Sequence, residues 1–179
     1  KKKKNMKDNK IIITSASRTA VASLGKTLKN TPADDLGSEV ISDQVLKSKL
    51  KKNDIDEVIL GQVLTSNTGQ NPARQASIKS GLPEETPAYI VNQVCGSGLR
   101  SIISGYQSIK SGNSKVVIAG GQENMSLAPH AIHLRDGKKL GNIQLTDTMI
   151  KDGLWDAFNQ YHMGVTAENV AEKFQITRE

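Results

Sequence analysis

Cys95 is the residue whose type and neighbours point most directly to chemistry. It is the only cysteine among 179 residues, and Gly96, Ser97 and Gly98 follow it. A cysteine thiolate can take up an acyl group as a thioester, which divides one difficult transfer into two easier steps. The two glycines leave room for such a group to approach the backbone. Position alone keeps a second interpretation open, in which Cys95 is a small buried apolar residue.

The elements around Cys95 place it at a strand-to-helix turn. Residues 88–91 predict a strand, and apolar residues at helical spacing predict a helix over about residues 96–111. Free N–H groups at the start of that helix, together with its positive end, favour a thiolate at Cys95. The same N–H groups can bind a developing oxyanion. The apolar residues that carry the helical spacing are Leu99, Ile102, Ile103, Tyr106 and Ile109.

Alternating strands and helices predict an α/β fold. β-branched runs predict strands at residues 11–14, 58–63 and 115–119, in addition to residues 88–91. The resulting order is βαβαβαβ, which is typical of a mostly parallel sheet with right-handed connections. Cap-then-proline pairs predict the first two helices: Thr31-Pro32 opens one that runs to about Lys51, and Asn71-Pro72 opens one that stops before Gly81.

The last third of the chain has a different texture. Residues 122–160 mix glycine, charged residues and scattered apolar residues without a period, which predicts a loop-rich insertion with short helices. Thr166 is then the predicted N-cap of a helix that carries Val170 and Phe174. Residues 176–179 resemble the start of another helix, so we expect the sequence to be a truncated piece.

Composition limits the classes of function. The net charge is +6, and the first ten residues hold six lysines against one aspartate, so residues 1–9 predict a disordered basic tail on a nearly neutral body. A nucleic-acid interface needs cations spread over a folded surface, and none is expected here. No apolar run is long enough for a membrane span. One cysteine excludes a disulfide within the chain and favours a reducing, cytoplasmic location.

Longer strings of the sequence resemble the thiolase family. The resemblance runs over about residues 10–179 and rests on several strings in the family's order, of which the one around Cys95 is the most specific. It implies a thiolase-like α/β/α layered half with a mostly parallel sheet. Residues 10–121 would be the amino-terminal domain without its last strand, and residues 122–179 the start of a loop domain for tetramerisation and CoA binding. The matching strings lie at residues 17–21, 57–63, 69–76, 92–100, 119–126, 128–130, 147–154 and 161–164.

The resemblance also implies a reaction and a set of site residues. The type it favours condenses two acetyl-CoA molecules to acetoacetyl-CoA, or reverses this by thiolysis. Cys95 would carry the acetyl group, and its backbone N–H would form half of an oxyanion hole. Leu154, His162 and Met163 would line the CoA site, with Met163 restricting it to short acyl groups. CoA thioesters would be substrates, with no permanently bound cofactor, no metal and a homo-oligomeric assembly.

Several alternatives stay open. The family's Gly-His-Pro histidine and its second cysteine, in Cys-x-Gly, do not occur in this sequence. The chain could therefore be a non-catalytic fragment or degenerate product that binds CoA or a thiolase partner. It could also belong to a 3-ketoacyl-CoA thiolase of longer-chain specificity, or to a decarboxylating ketoacyl synthase. Without the resemblance, His162 is better interpreted as structural and Leu154 and Met163 as loop-core residues; His130 and His133 are interpreted as structural.

Overall fold

A parallel three-stranded sheet lies at the centre of the molecule. The computed structural model describes residues 10–179, so the prediction of a disordered tail at residues 1–9 lies outside them. The strands are β1 (Glu57–Gly61), β2 (Ala88–Val91) and β3 (Val117–Gly121), in the order β2-β1-β3. Gly61 at the end of β1 lies opposite Val91 and Gly121. The carboxyl ends of all three strands therefore meet at one edge.

Helices cover both faces of this sheet. On one face, Val58 and Leu60 of β1 pack with residues of α1 (Ala33–Ser48) and α2 (Pro72–Lys79) in the main apolar core. On the other face lies α3 (Ser97–Ser111), where a Cβ added to Gly105 would lie 3.1 Å from Val117 Cγ1. The arrangement is α/β/α, and the predicted fold class is confirmed. The helical residues of the core are Ile41, Ala73 and Ala76.

Helix α2 begins and ends as its sequence predicts. Asn71 Oδ1 accepts a hydrogen bond from Arg74 N at 3.2 Å, and Pro72 is the first helical residue. Gly81 follows the helix with φ of +78°, in the left-handed region that glycine adopts more readily than other residues.

The predicted cap of α1 is wrong by one residue. The helix begins at Ala33, and Pro32 precedes it without a side-chain cap. Thr31 is engaged otherwise: its N–H donates to Leu28 O, and its carbonyl accepts from Asn124 Nδ2 at 2.7 Å. The entry to α1 is therefore tied to the loop after β3.

The strand predicted at residues 11–14 does not form. Ile12 and Ile13 are 73% and 80% exposed, and no strand of residues 10–179 pairs with this segment. A β-branched run has the propensity for a strand but becomes one only where a neighbouring strand accepts its hydrogen bonds. The βαβαβαβ prediction is corrected to three strands, and the sheet to β1, β2 and β3.

Residues 122–160 form short elements around irregular backbone, as predicted, and a longer helix follows them. A 3₁₀ turn is followed by a small antiparallel pair, β4 (His130–Ala131) and β5 (Thr146–Asp147), by a π-helix and by α4. No helix of the described residues is long and apolar enough to cross a membrane. The turn spans Met125–Leu127, the π-helix Met149–Leu154 and α4 Met163–Phe174.

The predicted cap of α4 is wrong. The helix starts at Met163, and the ring of His162 rather than Thr166 accepts the capping hydrogen bond, from Gly164 N. Thr166 therefore lies within the first turn of the helix. Residues 176–179 are irregular, so no further helix begins within the described residues.

Candidate active site

Cys95 lies in the turn that joins β2 to α3, as predicted. Its thiol is free and exposed. Val94 before it has φ of +49°, and Gly96 after it is the N-cap of α3. The left-handed region is unfavourable for a β-branched residue, at a cost on the order of 1–3 kcal/mol, and such strain is found most often at functional sites.

The side chain of Ser97 holds this turn. Its Oγ accepts a hydrogen bond from Gln93 N at 2.8 Å and donates one to Val94 O at 2.6 Å. Asn92 Oδ1 adds a third bond, from Val94 N at 3.0 Å. Ser97 is buried, so these bonds are protected from competing water. The strained residue before Cys95 is thus fixed from both sides.

The backbone N–H of Cys95 is available to a ligand. The N–H groups of Gly96 and Ser97 bond back within the turn, to Gln93 O and Val94 O. The N–H of Cys95 makes no hydrogen bond of ordinary geometry to another residue of 10–179. During acyl transfer an oxyanion develops close to the nucleophile, so an N–H group at this position can donate a hydrogen bond to it.

Glycines allow the start of α3 to touch the edge of the sheet. A Cβ added to Gly61 would lie 2.4 Å from the backbone carbon of Ser97 and 2.6 Å from Gly98 N. A Cβ on Gly121 would lie 3.2 Å from Gly61 O and 3.6 Å from Gly98 Cα. Gly61 has no room for a side chain and Gly121 has little, so backbone packs on backbone. The carboxyl edge of the sheet therefore fixes the helix end that carries Cys95.

A cavity of about 440 Å³ opens beside the thiol. Cys95 and Leu154 both line it, so the structure brings together two of the four predicted site residues. Leu154 ends the π-helix, an element often found at functional sites. The cavity is also lined by Leu64, Glu123, Met125 and Gly153.

Glu123 is a half-buried carboxylate in this lining. Its Oε2 accepts hydrogen bonds from Val63 N at 2.8 Å and Leu64 N at 3.2 Å. Its Oε1 is buried and has no hydrogen-bond partner among residues 10–179. Burial raises the pKa of Glu123 above its usual value, against the opposing effect of the N–H groups of Val63, Leu64 and Asn124.

His162 and Met163 lie outside this cavity, at the start of α4. Neither residue is among the described residues that line the cavity. His162 Nδ1 accepts from Gly164 N at 3.0 Å, which in a neutral imidazole leaves the proton on Nε2. An antiparallel bridge between Trp155 and His162 brings the residue after Leu154 beside the predicted histidine.

The remaining histidines lie in and just after β4. His130 Nε2 lies 3.8 Å from Asp147 Oδ2, across the β4–β5 pair, and His133 is exposed. Residues 10–179 contain no group of three or more His, Cys, Asp or Glu residues that could hold a metal ion.

Sequence reasoning missed Ser97 and Glu123 as site residues. Ser97 was placed only as part of a glycine-rich string. Glu123 carries a usable signal, because it is a charged residue four positions after the strand predicted at residues 115–119. Side chains that follow neighbouring parallel strands share one edge of the sheet, which is the usual place of a ligand site in α/β folds.

Comparison with known proteins shows one family over nearly the whole chain. Residues 11–179 match the family model described as "Thiolase, N-terminal domain". Curated relatives named acetyl-CoA acetyltransferase include those of Chromobacterium violaceum, 56% identical over 94% of this chain, and Rhizobium meliloti, 54% identical over 97%. A rat protein named acetyl-CoA acetyltransferase, cytosolic, is 47% identical over 98% of this chain.

The same alignments show how much of the relatives is covered. The chain spans 43% of the Chromobacterium protein and 44% of the other two. It corresponds to less than half the length of these relatives. With a match to the family model over nearly all of its residues, the chain belongs to the thiolase family and corresponds to its amino-terminal domain.

Proposed function

We propose that Cys95 carries the acyl group in a thiolase-type transfer that condenses two acetyl-CoA molecules to acetoacetyl-CoA, or runs in reverse as thiolysis. The observation that carries this proposal is the placement of Cys95: an exposed thiol at the head of α3, with an unengaged backbone N–H and a cavity beside it. The names of the relatives support the choice of substrate.

The first half-reaction is a thioester exchange. The Cys95 thiolate attacks the carbonyl carbon of acetyl-CoA, and the backbone N–H of Cys95 donates to the oxyanion that forms. The C–S bond to CoA then breaks, CoA leaves as its thiolate and takes a proton, and the acetyl group remains on Sγ. Ser97 and Asn92 matter here because they keep the turn and its N–H in place while charge develops.

The second half-reaction forms the carbon–carbon bond. The enolate of a second acetyl-CoA attacks the acetyl thioester, and Cys95 leaves as the thiolate that began the cycle. The enolate requires a base for the α-proton, and this chain has no second cysteine to serve as one. We propose that the base belongs to the part of the relatives that this chain does not cover.

Leu154, His162 and Met163 are proposed to hold the CoA substrate. Leu154 presents an apolar side chain to the cavity beside Cys95. His162 has Nδ1 engaged by Gly164 N, which leaves Nε2–H as a donor for a polar group of the substrate. Met163, 37% exposed, is available to limit the length of the acyl group.

The setting of the reaction is also proposed. CoA thioesters serve as substrates without a permanently bound cofactor, in a cytoplasmic homo-oligomer, and residues 133–148 form part of the tetramer contact. Residues 10–121 are the amino-terminal α/β domain and residues 122–179 the start of the insertion that serves CoA binding and assembly.

Acetyl transfer to Cys95 tests the proposal. The chain is incubated with acetyl-CoA, alone and with the carboxy-terminal part of the Chromobacterium relative, and its intact mass is measured. We expect one acetyl group on Cys95 in the complemented sample and none in Cys95→Ala. Acetylation of Cys95→Ala to the same extent, or no acetylation with the complement present, would contradict the proposal.

A second function is favoured by one observation, the single cysteine of the sequence. The chain would then bind CoA or a thiolase partner without turnover. Saturable CoA binding with no acetyl transfer in the complemented sample would support this function, and acetyl transfer would exclude it.

A further inference from the structure

Two carboxylates tie β1 to β3, one at each end of the strand pair. Asp56, directly before β1, accepts hydrogen bonds at Oδ2 from Lys115 N and Val116 N, at 2.7 and 2.9 Å, just before β3. Glu123, two residues after β3, does the same for the two residues that follow Gln62 after β1. Each oxygen holds two successive N–H groups of the neighbouring strand's flank, so each end of the pair is fixed in register.

The two ties differ in what surrounds them. Asp56 is exposed and lines no cavity near Cys95. Glu123 lines the cavity, and the Leu64 whose N–H it holds is buried. A Cβ on Gly153 would lie 3.4 Å from Leu64 Cδ2, so Leu64 packs directly against the residue before Leu154. The tie at this end therefore acts on a wall of the cavity.

We propose that Glu123 is a positioning residue: by holding the N–H groups of Val63 and Leu64, it sets the wall formed by Leu64, Gly153 and Leu154 opposite Cys95, and so the length of acyl group that the thiol can accept. This rests on the proposed function of Cys95 as the acyl carrier. One oxygen makes both bonds, so an amide oxygen of the same reach can replace it, whereas a shorter side chain cannot.

The wall would relax without this tie. Among residues 10–179, the backbone of Val63 and Leu64 would keep one other hydrogen bond, from Gln62 Nε2 to Leu64 O at 3.1 Å. That bond fixes a carbonyl but neither N–H group. Leu64 could then move away from Gly153, and the cavity beside Cys95 would admit longer groups.

The test uses the full 179-residue chain and four variants. Glu123→Ala removes the tie, Glu123→Asp keeps the charge but shortens the reach, and Glu123→Gln keeps the acceptor. Asp56→Ala removes the matching tie at the other end. Amide hydrogen exchange is measured at Val63 and Leu64, and the rate of Cys95 alkylation is measured by intact mass with iodoacetamide and with its N-octyl derivative.

Two results are expected. Glu123→Ala and Glu123→Asp speed exchange at Val63 and Leu64 by at least about tenfold, as the loss of the hydrogen bond to each N–H predicts. They also raise the ratio of N-octyl to iodoacetamide rates at Cys95 by at least about threefold, as expected for a widened pocket. Glu123→Gln changes neither by more than about twofold. Asp56→Ala speeds exchange only at Lys115 and Val116 and leaves the Cys95 ratio unchanged.

The opposite results overturn the proposal. They are unchanged exchange at Val63 and Leu64 in the Ala and Asp variants, faster exchange with an unchanged rate ratio, or an equal change of ratio in Asp56→Ala. If Glu123→Ala loses protection throughout β1, Glu123→Asp decides, and the same loss in both variants would assign Glu123 to folding alone. Neither reagent is a thioester, so a failure of acetyl transfer to Cys95 would refute the proposed function without altering these readings.

Discussion

The two ends of the β1–β3 strand pair use the same device in different surroundings. At the amino end, the exposed carboxylate of Asp56 binds two N–H groups before β3, and these bonds lower its pKa. At the carboxyl end, Glu123 binds two N–H groups after β1 beside the Cys95 cavity, and burial raises its pKa despite those bonds. The hydrogen bonds lower the pKa of both carboxyl groups, and burial outweighs them only at Glu123.

The opposite directions of the two pKa shifts indicate that Asp56 contributes to stability, whereas Glu123 positions backbone groups. A lowered pKa means that the fold favours the Asp56 carboxylate, so the exposed tie stabilises the native state. The raised pKa of Glu123 means that burial disfavours its ionised form more than the hydrogen bonds favour it, so an ionised Glu123 beside Cys95 costs stability. At the carboxyl end of the sheet, beside Cys95, glycines and a half-buried carboxylate fix the positions of backbone groups.

The largest expected effect comes from closing the contact between Gly61 and α3. Gly61→Ala places a methyl group 2.4 Å from the Ser97 backbone, so the helix start must move, and overpacking of this kind costs about 1–3 kcal/mol. Gly120→Ala is the matched control, because a Cβ there meets nothing within 4 Å. Urea unfolding should show a lower midpoint for the first variant only. Equal midpoints would break the claim that this end is closely packed.

Removal of the Ser97 hydroxyl is the next largest. Ser97→Ala removes the buried hydroxyl that bonds Gln93 N and Val94 O, and the loss of these two bonds should lower the free energy of unfolding by about 1–2 kcal/mol. Ser111→Ala, which loses one exposed bond at the other end of α3, serves as the control. If both variants unfold at the same denaturant concentration, Ser97 does not hold the turn.

At the amino end, Asp56→Asn should lose a pH-dependent stabilisation. The pKa of Asp56 is lowered in the folded chain, so its contribution is present above the usual value of 3.8 and disappears as pH falls through the lowered value. Because the group is exposed, we expect no more than about 1 kcal/mol at neutral pH. The free energies of unfolding of wild type and variant are compared at about pH 7 and about pH 2.5. A difference that persists at acid pH would refute this origin.

At the carboxyl end, Glu123→Gln should show the opposite sign and the smallest effect. Burial raises the pKa of Glu123, so the folded chain holds the proton more tightly, and wild type loses stability as pH rises from the usual value of 4.5 through the raised one. The variant lacks this loss. The free energy of unfolding of wild type minus that of the variant should therefore be lower at about pH 7 than at about pH 4. A wild-type advantage that grows with pH would show that the two ends behave alike.

Much of the site's frame could be predicted from local residue types. Cys95 was placed at the strand-to-helix turn because an apolar run precedes it and a helical period follows it. Asn71-Pro72 predicts the start of α2 because this N-cap depends only on residues adjacent in sequence. The irregular backbone after residue 121 was likewise visible as a loss of period.

The failures depend on contacts distant in sequence. Residues 11–14 have the composition of a strand but no neighbouring strand among the described residues, and Thr31 is held by Asn124. The role of Glu123 requires the knowledge that the end of β3 lies beside the end of β1, 60 residues earlier. The positive φ of Val94 runs against its residue type and could not be inferred from it.

The most direct test of the central claim measures acetyl transfer to Cys95 in the Gly61→Ala and Gly120→Ala variants, each with the complementing part of a relative. Peptide mass mapping gives the rate at which Cys95 gains the acetyl group from acetyl-CoA. We predict the wild-type rate for Gly120→Ala and a rate at least about tenfold lower for Gly61→Ala, whose helix start is displaced by the added methyl group. Equal rates in the two variants, or an acetyl group on any residue other than Cys95, would contradict the account.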